Sequence, residues 1–124
     1  MMKLTENFDL DEFECKDGSK IPVDVYYRLN KLAMNLQVLR DYVGKSITIN
    51  SGYRSPSWNL KIGGAVNSQH MLGNAADIVV DGLTPRQVFD VIEMLQNRGE
   101  MTIGGLHAYN SFVHYDIRGH SARW

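Results

Sequence analysis

Four residues in two short stretches of this sequence are of types that could do chemistry together. In "FVHYDI", His114 and Asp116 are two residues apart. If that stretch is a strand, alternation puts both side chains on one face, with about 6.8 Å between their Cα atoms at roughly 3.4 Å per residue. Val113, Tyr115 and Ile117 then take the opposite, core-facing side. In "SQHMLGNAADI", His70 and Asp77 stand seven positions apart, with the small residues Gly73, Ala75 and Ala76 between them. If the two stretches are neighbours in space, His70, Asp77 and His114 can converge. Two imidazoles and a carboxylate match a catalytic zinc, with three protein ligands and a fourth position left for water. Such a metal lowers the pKa of that water and polarises a carbonyl. Asp116 would then be free to act as general base, and the small residues before Asp77 would let the backbone approach the metal loop closely. Ordinary roles fit the same residues: a hydrogen-bonded loop histidine for His70, a turn or cap for Asp77, a polar strand face for His114 and Asp116.

These residues need elements to carry them. "DVYYRLNKLAMNLQVLRDYVG" is the clearest helix: Val25, Leu29, Leu32, Leu36, Leu39 and Val43 form one apolar stripe, Asp24 can cap its start and Gly44 its end. "SITIN" alternates as a strand through Ile47 and Ile49, and "AADIVV" is a second strand. Between them, Ser51 to Gln69 is rich in Ser, Gly and Asn and has the character of a long functional loop. "TPRQVFDVIEMLQNRG" predicts a second helix with Thr84 as cap, Pro85 in the first turn and Val88, Ile92 and Leu95 inward. The tail predicts two strands around a turn at Asn110–Ser111. The expected fold class is α+β, two main helices packed on a small, mostly antiparallel sheet. Residues 1–124 form one domain in this reading, because 124 residues leave little room for a second core.

Bulk properties narrow the function classes. A formal net charge of −1 provides no general attraction for nucleic acid or an anionic membrane. No apolar run approaches the roughly 20 residues of a membrane span, and the opening residues are too polar for a signal peptide. One cysteine, Cys15, excludes an internal disulfide and a multi-cysteine zinc site; it is expected as a small buried residue. A monomer, made in the cytoplasm, is the expectation.

The pattern Ser-x-His-x-x-Gly-x-Ala-x-Asp is met by Ser68, His70, Gly73, Ala75 and Asp77, with "SGYRSPSWN" before it and "FVHYDIRG" as a closing strand. In these motifs, and in "ENFDLDEFEC" and the ending "ARW", the chain resembles the peptidase M15 family. That family comprises zinc D-Ala-D-Ala carboxypeptidases and endolysin-type L-alanyl-D-glutamate peptidases, and shares its fold with the hedgehog signalling domain. The resemblance implies one zinc held by His70, Asp77 and His114, and an Arg54 that holds substrate or stabilises the oxyanion. It implies hydrolysis of amide bonds in peptidoglycan stem or cross-link peptides. With no export signal in the opening residues, a cell wall reached by phage lysis-pore release or on a phage particle is the expectation, and a bacterial enzyme trimming muropeptides in the cytoplasm is the alternative. One departure stands out. Better-known members place a glutamate three residues before the last histidine, where this chain has Ser111; Asp116 is the nearest acid. A catalytically inactive peptidoglycan- or peptide-binding module on the same fold is therefore the alternative. Further expectations concern the surroundings of the metal. Ser68 and Asn74 would orient His70 by hydrogen bonds. His107 would face His114 across the last hairpin, as a substrate contact, a support for a ligand or a solvated histidine. Tyr109, with Tyr53 and Trp58, would line a groove or pack. Trp124 would cover the core.

Overall fold

The computed structural model describes residues 2–124. Its elements are β1 (Lys3–Thr5), β2 (Phe8–Asp9), α1 (Val23–Val43), β3 (Ile47–Ser51), α2 (Pro56–Lys61), β4 (Ala75–Val80), α3 (Pro85–Asn97), β5 (Leu106–Ala108) and β6 (Val113–Asp116), with single 3-10 turns at Leu10–Phe13 and Gln69–Leu72. The fold is α+β. β1 and β2 pair as a small ribbon, and the main sheet runs β3-β4-β6-β5 with every neighbouring pair antiparallel.

α1 buries Val25, Leu29, Leu32, Leu36 and Leu39, five residues of the expected stripe, and Val43 packs at its margin. Its C-cap is Gly44, left-handed at φ 63, whose N–H bonds Arg40 O at 3.0 Å. Its start differs from expectation. The helix begins at Val23 after Pro22, so Asp24 lies inside the first turn and pairs with Arg28 at 2.8 Å instead of capping. α3 starts as its sequence predicts: Thr84 Oγ1 accepts from Gln87 N at 3.1 Å and Gln87 Oε1 accepts from Thr84 N at 2.9 Å.

The stretch Ser51–Gln69 is not all loop. Ser51 closes β3, and Pro56–Lys61 forms α2, with Ser55 Oγ accepting from Trp58 N at 3.2 Å. A Ser-Pro start is a helix signal, but α2 is too short to show apolar periodicity, so the segment looks like loop in sequence.

The sheet sorts its side chains by face. Ala76, Ile78 and Val80 of β4, Val113 and Tyr115 of β6 and Leu106 of β5 are buried in the core with α1 and α3. Asp77, His114 and Asp116 take the other face. Gly73 ends the turn that carries His70 and also comes close to α1. It is left-handed at φ 79, and a Cβ there would lie 2.7 Å from Val25 Cγ1 on α1.

A polar tie fixes the segment that runs into β5. Asn35, buried on α1, accepts from Thr102 N at 2.7 Å through its Oδ1, and Tyr115 OH donates to Thr102 O at 2.7 Å. Burial pushes the Tyr115 phenol pKa up, so it remains a donor. Removing a buried acceptor leaves Thr102 N–H unsatisfied. Asn35→Ala is expected to destabilise the protein by about 1–3 kcal/mol, measured by urea denaturation, with the denaturant slope unchanged.

Candidate functional site

Antiparallel register builds the site. Across the sheet, Ser51 is opposite Asp77, Asp77 opposite His114, and His114 opposite His107. His70 comes from the 3-10 turn before β4. Ser68 Oγ caps that turn by accepting from His70 N at 3.2 Å, and Gly73 closes it. The turn is tied to the neighbouring loop by Arg54 N–H donating to His70 O at 3.0 Å.

Three ligand atoms meet at the resulting centre. Asp77 Oδ1 lies 3.3 Å from His70 Nε2 and 3.1 Å from His114 Nδ1, and His70, Asp77 and His114 each offer one ligand atom within 4.8 Å of the others. The far nitrogen of each ring is occupied. His70 Nδ1 is 2.8 Å from Gly52 O, an acceptor only, and His114 Nε2 is 2.8 Å from Asp116 Oδ2. Each outer nitrogen therefore carries a proton, and each inner one faces Asp77 Oδ1, where it donates when protonated and would offer its lone pair to a metal. This is the donor arrangement a zinc site requires, including the outer hydrogen bonds that hold the rings in place. Burial pushes Asp77 up, but hydrogen bonds from His114 and His70 outweigh it and hold the carboxyl well below its usual range. For His114, burial works downward, yet Asp116 and Asp77 raise its pKa overall. Both shifts mark a centre where positive charge between the rings and Asp77 is favoured.

Asp116 is placed behind His114, not in the cleft, which differs from the general-base role that strand spacing suggests. The residue is 0% exposed. Its Oδ2 accepts from His114 Nε2 and, at 2.7 Å, from Arg118 Nη2; its Oδ1 accepts from Gly105 N at 2.7 Å, Arg118 Nε at 2.9 Å and Arg118 N at 3.1 Å. A carboxylate with both oxygens bonded this fully has little capacity left for a proton from water. Burial raises its pKa, but hydrogen bonds from His114 and Arg118 bring it well below the usual carboxylate range. The backbone closes around it: a Cβ on Gly105 would sit 2.2 Å from Asp116 Oδ2, and one on Gly104 1.8 Å from Asp116 O.

The centre opens into a cleft of about 510 Å³. Arg54, Ser68 and Tyr109 line it together with the three ligand residues. Arg54 is held by Ser51 Oγ at 3.2 Å, Asn59 Oδ1 at 3.3 Å and Asp77 Oδ2 at 3.4 Å. It thus occupies the Asp77 oxygen that the histidines leave. His107 faces His114 in register but does not line the cleft; it stacks on Trp124, centroids 5.3 Å apart and rings 4° from parallel. Trp124 is no cover for the core. Half exposed, it forms a cleft wall, with its Nε1 donating to Tyr109 OH at 3.0 Å. Of the other aromatic candidates, Tyr53 belongs to the core and Trp58 packs against it. Asn74 bonds Gln69 Oε1 at 3.0 Å, so its support for His70 is indirect.

Sequence reasoning passed over Arg118 and Phe112, which line the cleft, and Gly104 and Gly105, which enclose Asp116. Arg118 had a readable signal. It continues the two-residue alternation of His114 and Asp116, so all three share one side of the chain. The glycine pair "GG" had none, because only the folded chain brings it against Asp116.

Comparison with known proteins agrees with this geometry. The family model described as Peptidase M15 matches residues 6–116, a span that contains the three ligand residues, Arg54 and Asp116. A zinc D-Ala-D-Ala carboxypeptidase of Streptomyces albus G is 52% identical over 44 residues, which is 35% of this chain. The match spans 17% of that protein's length. With the family model covering most of the chain and zinc-type donors at the centre of the matched fold, the chain belongs to the peptidase M15 family.

Proposed function

We propose that the protein is a zinc-dependent peptidase that hydrolyses amide bonds in peptidoglycan stem or cross-link peptides. One observation carries the reading: the lone pairs of His70 and His114 and Asp77 Oδ1 converge at the floor of an open cleft, with the outer nitrogens of both rings tied down. The substrate class is supported by the similar carboxypeptidase, whose name specifies D-Ala-D-Ala. Among the described residues no helix is long and apolar enough to cross a membrane.

The chain's own groups divide the work. His70, Asp77 and His114 would hold the metal. Zinc bound there supplies Lewis-acid polarisation of a carbonyl and activation of water. Gly52 O and Asp116 keep the two rings from rotating, which preserves ligand geometry between turnovers. Arg54 pins Asp77 through Oδ2 and places a fixed positive charge at the cleft wall, where it stabilises a developing oxyanion. Tyr109 and Trp124 offer flat walls to an extended peptide, and Ser68 holds the turn that carries His70.

A second reading is favoured by a specific observation. Among the described cleft-lining residues the only side-chain carboxylate is Asp77, and position 111 is serine. A zinc-bearing module that binds cell-wall peptides without cutting them has no need of a free acid. Release of new amino groups from sacculi and from soluble D-Ala-D-Ala peptides by zinc-loaded protein separates the two; no release from either leaves the binding module.

Three outcomes follow from the site. Wild-type protein is expected to hold one zinc per chain and to lose thermal stability on chelation, whereas His70→Ala retains little metal by elemental analysis. Asp116→Asn is expected to weaken zinc about 10–100-fold in a competitive chelator titration, because an amide cannot accept from His114, Gly105 and Arg118 together; unchanged affinity would contradict the placement of Asp116. Arg54→Ala is expected to lower kcat/KM about 10²–10³-fold. Arg54→Lys should not restore it, since a single ammonium cannot meet Ser51, Asn59 and Asp77 at once.

A further inference from the structure

Two arginines line the cleft, and their hydrogen bonding differs. Arg54 uses all three guanidinium nitrogens on Ser51, Asn59 and Asp77. Arg118 commits one edge only: Nε and Nη2 grip the two oxygens of Asp116 at 2.9 and 2.7 Å. Among the described residues Nη1 of Arg118 has no hydrogen-bond partner. The guanidinium also lies over the Trp124 ring, 5.8 Å from its centroid. Its plane is therefore fixed on one edge by a buried carboxylate and flanked by an aromatic wall of the cleft. Its outer edge, Nη1 with the second hydrogen of Nη2, keeps donors in the parallel geometry that a carboxylate accepts.

The position of this edge follows from Asp116. A single oxygen, Asp116 Oδ2, receives both His114 Nε2 and Arg118 Nη2. A peptide whose reacting carbonyl lies at the three ligand atoms reaches Arg118 within one or two residues, at about 3.3–3.6 Å each. Asp116 neutralises part of the arginine charge, but its bonds hold Arg118 charged and still, so little side-chain entropy is lost when an anion binds.

We infer that Arg118 is a specificity-determining residue that binds a free carboxylate of the substrate, so that the cleft selects peptides carrying an acid group within one or two residues of the scissile amide. The inference rests on the peptidase reading for the identity of the substrate, but not for the binding itself. Arg118 lies outside residues 6–116, the part of the chain that the family model matches.

Binding can be measured apart from turnover. The probes are an N-acylated Lys-D-Ala-D-Ala tripeptide, N-methylated at the last amide to block cleavage, and the same tripeptide with a C-terminal carboxamide. Each is titrated calorimetrically into the zinc-loaded protein. The wild type should bind the carboxylate at least about tenfold more tightly than the carboxamide. Arg118→Gln should bring the two affinities to within about threefold with zinc content unchanged. If Arg118→Gln loses zinc or folds poorly, Arg118→Lys provides the same comparison. It keeps a cation for Asp116 but lacks the second edge, so it should also lose most of the preference. Equal affinities in the wild type would overturn the assignment, and a preference that survives in the folded Arg118 variant would overturn it and point to Arg54. The unmethylated tripeptide and sacculi, assayed for new amino groups, test the enzyme separately: a carboxylate preference without hydrolysis of either would sink the peptidase reading and leave Arg118 as a ligand-binding residue.

Discussion

Asp77 and His114 face each other on adjacent antiparallel strands, and everything at the centre depends on that pairing. Side chains on a strand alternate with a period of two, so a slip of one residue between β4 and β6 would turn His114 into the core and Tyr115 into the cleft. The slip is prevented from the other face. Ala76, Ile78, Val113 and Tyr115 pack beneath the helices, and Tyr115 is further held through its hydroxyl to Thr102 O. The hydrophobic side of the sheet thus sets the register on which the polar side relies.

On the polar side, the charges form an alternating line: Arg54, Asp77, His114, Asp116, Arg118, each within hydrogen-bond reach of the next. Burying a lone carboxylate costs several kcal/mol, so Asp116 at 0% exposure persists only because five donors surround it. Two of those donors come from backbone N–H groups, and one of these, Gly105, must be glycine to come so close. Metal ligand, orienting carboxylate and cleft arginine are consequently one mechanical unit.

The loop bearing Arg54 has its own support, from the N-terminal segment. Tyr53 N–H donates to Phe13 O at 2.8 Å, Ser55 N–H to Cys15 Sγ at 3.3 Å and Ser55 Oγ to Asp17 Oδ2 at 2.8 Å. Gly52 fits against Phe13 only without a side chain, since a Cβ would come within 2.7 Å of Phe13 Cα. Its carbonyl then meets His70 Nδ1. The cysteine that excludes a disulfide thus has a packing and acceptor role, and the opening residues reach the centre through a single loop.

The resemblance in motif grouped His70, Asp77 and His114; the sequence by itself determined the α+β class, the apolar stripes of α1 and α3, the capping of α3 and the last hairpin. These are local or periodic properties: spacing of three and four on a helix, two on a strand, and turn chemistry between them. The 3-10 turn at His70 and helix α2 are too short for periodicity to reveal. Tertiary structure alone decided which way the charged groups face. Asp116 and Arg118 share one side of the chain in any strand reading, but only the approach of Gly104 and Gly105, together with Ala75 opposite Asp116, encloses the carboxylate behind His114. Trp124 joins the cleft wall instead of the core because His107, Tyr109 and Arg118 meet it there. Such contacts link residues far apart in the chain, and their energies depend on burial and on which donor reaches which acceptor, quantities that no spacing encodes.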